Sequence, residues 1–289
     1  MSAHLPLRPP SALQYFASLV ADDGSLNLLE AAASIAQDAE PRLDVQQVLA
    51  EVDALALTLR RRLPADAAAL HKLRALNQYF HQELGFAGNV NDYYAASNSY
   101  IHQVLRTRRG IPISLSVIYL ELAQQLGLRA CGVSFPGHFL IKLQLAQGDV
   151  ILDPFSGQSL SRDALEGYLQ PYRERAGIDD PQELPLALFL QNASPRQVLA
   201  RMLRNLKEIH RSAEHWAALL AVQHRLLLLL PEEFEELRDR AAAFEALGQH
   251  AAAAADYADY LQRRPEVADA ALLQEKIAWL RSQGGAALH

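Results

Sequence analysis

An α+β fold, helical at both ends with a small antiparallel sheet between, follows from three observations. Apolar residues recur at helical spacing through the first eighty residues and again after about residue 185. Between about 110 and 155 one strong helix is followed by three β-rich segments bounded by turn residues. In the last third, proline recurs at a fixed interval with a glycine between.

The composition is compatible with such a fold. The 289 residues are 50% hydrophobic, enough for one large or two ordinary domains and too apolar for a mostly disordered chain. With 27 basic and 33 acidic residues, the net charge of −6 argues against nucleic-acid binding, which needs a basic face. The longest apolar run, Trp216 to Val222, is seven residues, so no membrane span is expected. The start, MSAHLPLRPP, has no basic segment leading into an apolar one, so no secretory leader is expected. One cysteine, Cys131, excludes an internal disulfide and a CxxC zinc site and points to a reducing, cytoplasmic setting.

Residues 1–10, with Pro6, Pro9 and Pro10, read as a loose arm. Ser11 to about Arg62 is helical, with Leu28, Leu29, Ala32 and Ile35 on one face and a break at Pro41. Asp44 is an N-cap for a helix from Val45 to Leu63, which Pro64 ends. Asp66 is the expected N-cap of a third helix, to about Glu83. Phe86 to Tyr100, rich in Asn, Gly and Tyr, reads as a structured loop before a short helix at about 99–108. Arg108 to Pro112 is a turn, and Ile113 to Gly127 is a helix carrying Leu115, Ile118, Leu122 and Leu126 on one face. Strands follow at Ala130 to Phe135, His138 to Leu145 and Val150 to Asp153, then a helix at about 162–172.

Gly177 to Pro185, with two prolines and several acids, reads as a domain boundary. Beyond it, Pro231 and Pro265 stand 34 residues apart, the period of a tetratricopeptide repeat. That alignment puts Gly248 at the tight turn between two helices, and Ala253 and Tyr257 where the helices approach closely with Phe244 facing them. The preceding window, about 200–233, has Glu214 where the turn glycine belongs. The expected division is a helical N-terminal subdomain at 11–64, an α+β core at 65–180 and repeats at 186–282 with a capping helix from Val267 to Leu280.

The chemistry-bearing block is GIPIS (110–114), PGHF (136–139) and LDPF (152–155). It places Ser114 in the first turn of a helix, His138 on one strand and Asp153 at the end of another. A nucleophile at a helix N-terminus, a histidine and an orienting acid make up the arrangement of papain-like chemistry. Each residue also has a plain structural role. Ser114 suits a helix cap, Asp153 before Pro154 suits a turn, His138 suits a core residue bonded to Asp153, and Cys131 suits a small buried hydrophobe. Asn91, Tyr93, Asn98 and Ser99 either cap local backbone or wall a cleft around Ser114 and His138. Pro136 and Gly137 shape the backbone beside it.

These stretches, with NLLEAAASIAQDAEPRLD (27–44) and NDYYAASNSYIHQVLRTRRGIPISLSVIYLELAQQLGL (91–128), resemble the bacterial SirB-type family over about residues 20–280. That family joins a transglutaminase-like, papain-like core to tetratricopeptide-like repeats. The resemblance implies a cysteine opening the central helix in catalytic members of the superfamily, where this chain has Ser114 or a neighbour. His138 and Asp153 match the family's histidine and acid. The resemblance therefore implies first a non-catalytic, regulatory scaffold for a protein or peptide partner, bound through the cleft or the repeats. The alternative is a Ser114–His138–Asp153 hydrolase or acyltransferase acting on amide bonds; a Cys131–His138 thiol pair is a third reading. A serine hydroxyl needs His138 as a true general base, because a helix N-terminus cannot ionise it as it would a thiol. No cofactor or metal is expected: there is no GxGxxG or phosphate loop, no His-x-x-x-His pair, and His210 and His215 fall on different helix faces.

Overall fold

The computed structural model describes residues 10–178, 180 and 182–285; the arm expected over 1–10 lies outside them except for Pro10, and so do two positions of the expected boundary, 179 and 181. In chain order the helices are α1 (Ala12–Leu19), α2 (Leu28–Ser34), α3 (Val45–Arg60), α4 (Ala69–Asn77), α5 (Ile101–Thr107), α6 (Pro112–Gln125), α7 (Arg162–Ala176), α8 (Leu186–Phe189), α9 (Pro195–Ser212), α10 (Trp216–Leu229), α11 (Glu235–Ala246), α12 (His250–Arg263) and α13 (Ala270–Gly285). The strands are β1 (Ala87–Gly88), β2 (Arg109–Gly110), β3 (Ala130–Phe135), β4 (His138–Leu145) and β5 (Gly148–Leu152).

The chain packs as two units. A core unit comprises residues 26–36 and 42–202, and a helical unit comprises 10–25, 37–41 and 203–285. This corrects the expectation that 11–64 forms one subdomain, since α1 and the 37–41 turn belong with the C-terminal helices. The physical reason is one buried cation. Arg225 of α10 is fully buried; its Nε donates to Asp38 Oδ2 at 2.5 Å, its Nη2 to Asp38 Oδ1 at 2.8 Å, and it lies 4.8 Å from the Phe16 ring centroid.

In the core unit α6 is buried on all sides, which explains its near-continuous apolar text. Pro112 opens it, where a missing N–H costs nothing. The sheet is antiparallel in the order β3-β4-β5, and α6 packs against β3 and β4. Val133, Phe135, Leu140 and Ile151 of the sheet pack with Leu165 and Leu169 of α7 and Leu186 of α8. Helices on both faces of the sheet account for the run of buried residues along β4. Pro136 and Gly137 join β3 to β4, and the Gly137 φ of +70° fits a type II turn.

Asp44 caps α3 as expected, accepting from the N–H of Gln46 and Gln47. The third helix differs. It begins at Ala69 with no side-chain cap, because residues 64–67 close a turn of their own, Ala67 N–H to the Pro64 carbonyl at 3.1 Å. After α4 the chain continues as a π-helical turn over Gln78–Glu83. Such turns are uncommon and concentrate near functional sites. The Asn-rich loop contains the short strand β1, which pairs in parallel with β2 and ties the loop to the start of α6.

In the helical unit Leu237, Ala241, Ala253, Ala254, Tyr257, Tyr260 and Leu273 form the centre of an apolar cluster, with Phe244 packed against it. Ala253 and Tyr257 thus occupy the close approach that the 34-residue period predicts. Gly248 has φ +70° and closes α11 as a Schellman motif, with its N–H bonded to the Glu245 carbonyl and the Gln249 N–H to the Phe244 carbonyl. The same pair of bonds recurs around Glu214, whose φ is +54°. A left-handed conformation costs a side chain roughly 1–2 kcal/mol. Glu214→Gly therefore raises stability by about 0.5–1 kcal/mol, after the greater entropy of an unfolded glycine is allowed for. Urea unfolding monitored by tryptophan fluorescence measures it, since both tryptophans, Trp216 and Trp279, lie in this unit. A lower midpoint for the variant would show that the Glu214 side chain contributes more than its backbone strain removes.

Candidate functional site

Ser114 sits in the first turn of α6 and is fully buried. Its Oγ lies 2.5 Å from the Asn98 carbonyl and 3.0 Å from the Ile111 carbonyl, and accepts the Ile111 N–H at 3.2 Å. The hydroxyl therefore stitches the Asn-rich loop to the start of the helix. Gly110 makes room for it: a Cβ there would lie 2.8 Å from Ser114 Oγ.

His138 opens β4 beside the Pro136–Gly137 turn, half-buried, with its ring stacked on Tyr168 of α7 at 4.3 Å and 12°. Burial pushes its pKa below the usual histidine range, the charge of Asp153 opposes this, and Arg201 adds to it. Arg201, on α9, fastens the hairpin from outside. Its Nη2 donates to the His138 carbonyl at 2.7 Å and its Nη1 to the Phe135 carbonyl at 3.3 Å, and it lies 5.5 Å from the Phe139 ring centroid.

The Asp153 carboxylate closes its own Asp-Pro turn, accepting from the Phe155 N–H at 2.9 Å and from Ser156 Oγ at 2.7 Å. The turn is braced by Asn77, whose Nδ2 donates to the Gly157 carbonyl at 2.9 Å. It is also braced by His81 of the π-helical turn, whose ring occupies the space a Cβ on Gly157 would need. His81 Nδ1 lies 2.9 Å from the Phe86 carbonyl, and since a carbonyl only accepts, Nδ1 carries the proton and donates. Phe155 lies against Gly88, where a Cβ would meet its ring at 2.0 Å, and its centroid is 6.2 Å from that of Tyr93.

The expected Ser114–His138–Asp153 constellation is therefore not assembled. No hydrogen bond joins any two of these side chains; Ser114 is held by backbone carbonyls and Asp153 by its own turn. The reason is local: a serine three residues after the N-cap, Ile111, satisfies the helix start, and an Asp before a Pro satisfies the turn. The Cys131–His138 pairing fails on register. Cys131 lies opposite Lys142 while His138 lies opposite Phe135, four residues away, so the two are roughly 13 Å apart along the hairpin at about 3.3 Å per residue. Burial pushes the Cys131 thiol up, away from a thiolate, and its Sγ lies 3.1 Å from Asn192 Oδ1.

Of the loop residues, Asn98 and Ser99 are buried rather than lining a surface. Asn98 Nδ2 donates to the carbonyls of Asp92 and Tyr93, and its Oδ1 accepts from Asn89. Asn91 and Tyr93 are exposed, Gly137 is exposed and Pro136 is half-buried. The residues that gather on the surface are thus His138, Tyr93, Tyr168 and Arg201. Burial pushes the Tyr93 phenol up and the nearby Arg201 charge pulls it down. Tyr168 and Arg201 escape sequence reasoning because they stand 30 and 63 residues beyond His138 on helices whose text carries no motif. Among the described residues no group of three or more His, Cys, Asp or Glu could hold a metal ion. No helix among them is long and apolar enough to cross a membrane.

A buried helix capped at its first turn, a three-stranded sheet with a histidine on its central strand and an aspartate in the turn after its last, and a following helical repeat are the features of a transglutaminase-like domain joined to a repeat domain. The chain belongs to the transglutaminase-like superfamily, whose family model matches residues 46–204, and a tetratricopeptide-repeat model matches residues 206–278. It is similar to the UPF0162 protein of Xylella fastidiosa strain Temecula1, 38% identical over 245 residues covering 84% of this chain and 86% of the relative. It is also similar to the UPF0162 protein of Vibrio cholerae, 27% identical over 269 residues covering 93% and 97%. An 83-residue stretch is 47% identical to part of human F-box only protein 21, covering 29% of this chain and 13% of that protein. No solved structure matches the chain.

Proposed function

We propose that this chain is a SirB-type, non-catalytic transglutaminase-like protein that acts as a regulatory scaffold in the bacterial cytoplasm, binding a protein partner through its His138 face and its repeats. The observation that carries this reading is the burial of Ser114 with its hydroxyl committed to backbone carbonyls. A serine nucleophile needs an exposed oxygen and a base within hydrogen-bond reach. The surface at His138 instead offers Tyr93, Tyr168 and Arg201, residue types enriched at interface hot spots. Repeat arrays add concave surfaces suited to a helix or peptide.

The test is labelling with a broad fluorophosphonate probe. Wild type, Ser114→Ala and His138→Ala all remain unlabelled on this reading. Labelling of the wild type that both substitutions abolish would establish an activated serine and replace the scaffold with a hydrolase.

A further inference from the structure

We propose that Arg201 is the anion receptor of the His138 face and that the partner presents a peptide carboxylate to it, an Asp or Glu side chain or a free C-terminus. The inference rests on reading this face as a binding surface and names the chemistry that would occupy it.

Arg201 is held in place without being neutralised. One N–H of each terminal nitrogen goes to the carbonyls of His138 and Phe135, and the side chain is half-buried. No carboxylate among the described residues pairs with it. Other buried guanidiniums each have an acid: Arg173 has Glu166 at 2.8 Å and Arg225 has Asp38 at 2.5 Å. Burial works against the Arg201 charge, and what offsets it is the pair of backbone carbonyls and the Phe139 ring rather than an acid, the Asp153 carboxylate being bonded within its own turn. A desolvated cation with N–H groups to spare is a receptor waiting for an anion.

The surroundings select the kind of anion. The fixed guanidinium plane, tethered at two points, presents donors in the geometry of a planar carboxylate. Tyr168, 37% exposed and stacked on His138, and Tyr93, 43% exposed, supply rigid apolar area beside the charge. That combination suits an acidic residue carried on a peptide rather than a free small anion.

A random peptide library, including members with free C-termini, is selected against the full chain, and enriched peptides are measured by fluorescence polarisation. The expected peptides share an acidic position or a free terminus. Changing that acid to its amide, or amidating the terminus, weakens binding to wild type by about tenfold to a hundredfold, the strength of a charge-assisted hydrogen-bonded pair. The two modifications distinguish the side-chain from the terminal source. On Arg201→Gln the same peptide changes have little further effect, and Arg201→Lys, which keeps the charge but loses the fork, recovers only part of the affinity. Because the peptide-side change is made on wild-type protein, the result does not depend on how well the variants fold. Peptides that lose binding with Tyr168→Ala yet are indifferent to their acids would overturn the carboxylate inference and leave the binding face intact. No enriched peptide, or only peptides insensitive to Tyr168→Ala, would overturn both.

Discussion

Arg225→Ala lowers the stability of the helical unit by about 3–5 kcal/mol, the usual consequence of breaking a buried ion pair from one side. Arg225 is fully buried and bonded through two nitrogens to Asp38, and its Nη1 has no partner among the described residues. Removing it strands the Asp38 carboxylate and uncovers the Phe16 ring on which the guanidinium lies. Asp38→Ala costs a similar amount, because it leaves the guanidinium buried alone. The double variant Asp38→Ala/Arg225→Met loses far less than the sum, since no unpaired charge remains and the methionine refills part of the volume. Thermal melts followed by tryptophan fluorescence read this unit directly, with an expected fall on the order of 15 °C for the single variants. Single variants within about 2 °C of wild type would mean that the pair is solvated and does not anchor α1.

Ser114→Ala lowers the stability of the core unit by about 1 kcal/mol, because it removes the hydroxyl's hydrogen bonds at the Asn98–Ile111 junction while the Ile111 N–H keeps the Asn98 carbonyl at 3.4 Å and the Ile111 carbonyl keeps the Leu115 N–H at 3.1 Å. The lost contacts are those to the carbonyls of Asn98 and Ile111 and the bond from the Ile111 N–H. The Asn-rich loop bears Tyr93, so loosening this junction also weakens any ligand that uses the His138 face. Denaturant unfolding followed by circular dichroism measures the loss. A change below about 0.5 kcal/mol would place Ser114 among residues that can be lost without structural cost, and would revive the question of why a hydroxyl is kept there.

Much of the architecture was legible along the chain because it depends on short-range physics. The span of β3 and β4, the Pro136–Gly137 turn between them and the Asp44 cap follow from alternation, turn chemistry and a side chain reaching two or three residues onward. The 34-residue interval between Pro231 and Pro265 announced the repeat, and Gly248 sits in the left-handed turn that the interval requires. Where local chemistry competed, the reading slipped. Asp66 looks like a cap, yet it lies inside the 64–67 turn and α4 starts beyond it, at Ala69.

The site divides along the same line. The sequence by itself determined the residue types at the helix start, the hairpin turn and the Asp-Pro turn, and those motifs carry the family likeness. Only the tertiary structure decided what they do. Hydrogen bonding turned the Ser114 hydroxyl inward to carbonyls of its own cap and the preceding loop, and turned Asp153 onto its own backbone. Long-range packing brought Tyr168 onto the His138 ring and Arg201 onto its carbonyl. Turns and caps are satisfied within a few residues and so are written in the text. A stacked ring and a guanidinium from separate helices meet only when the core closes, and no local pattern records that meeting.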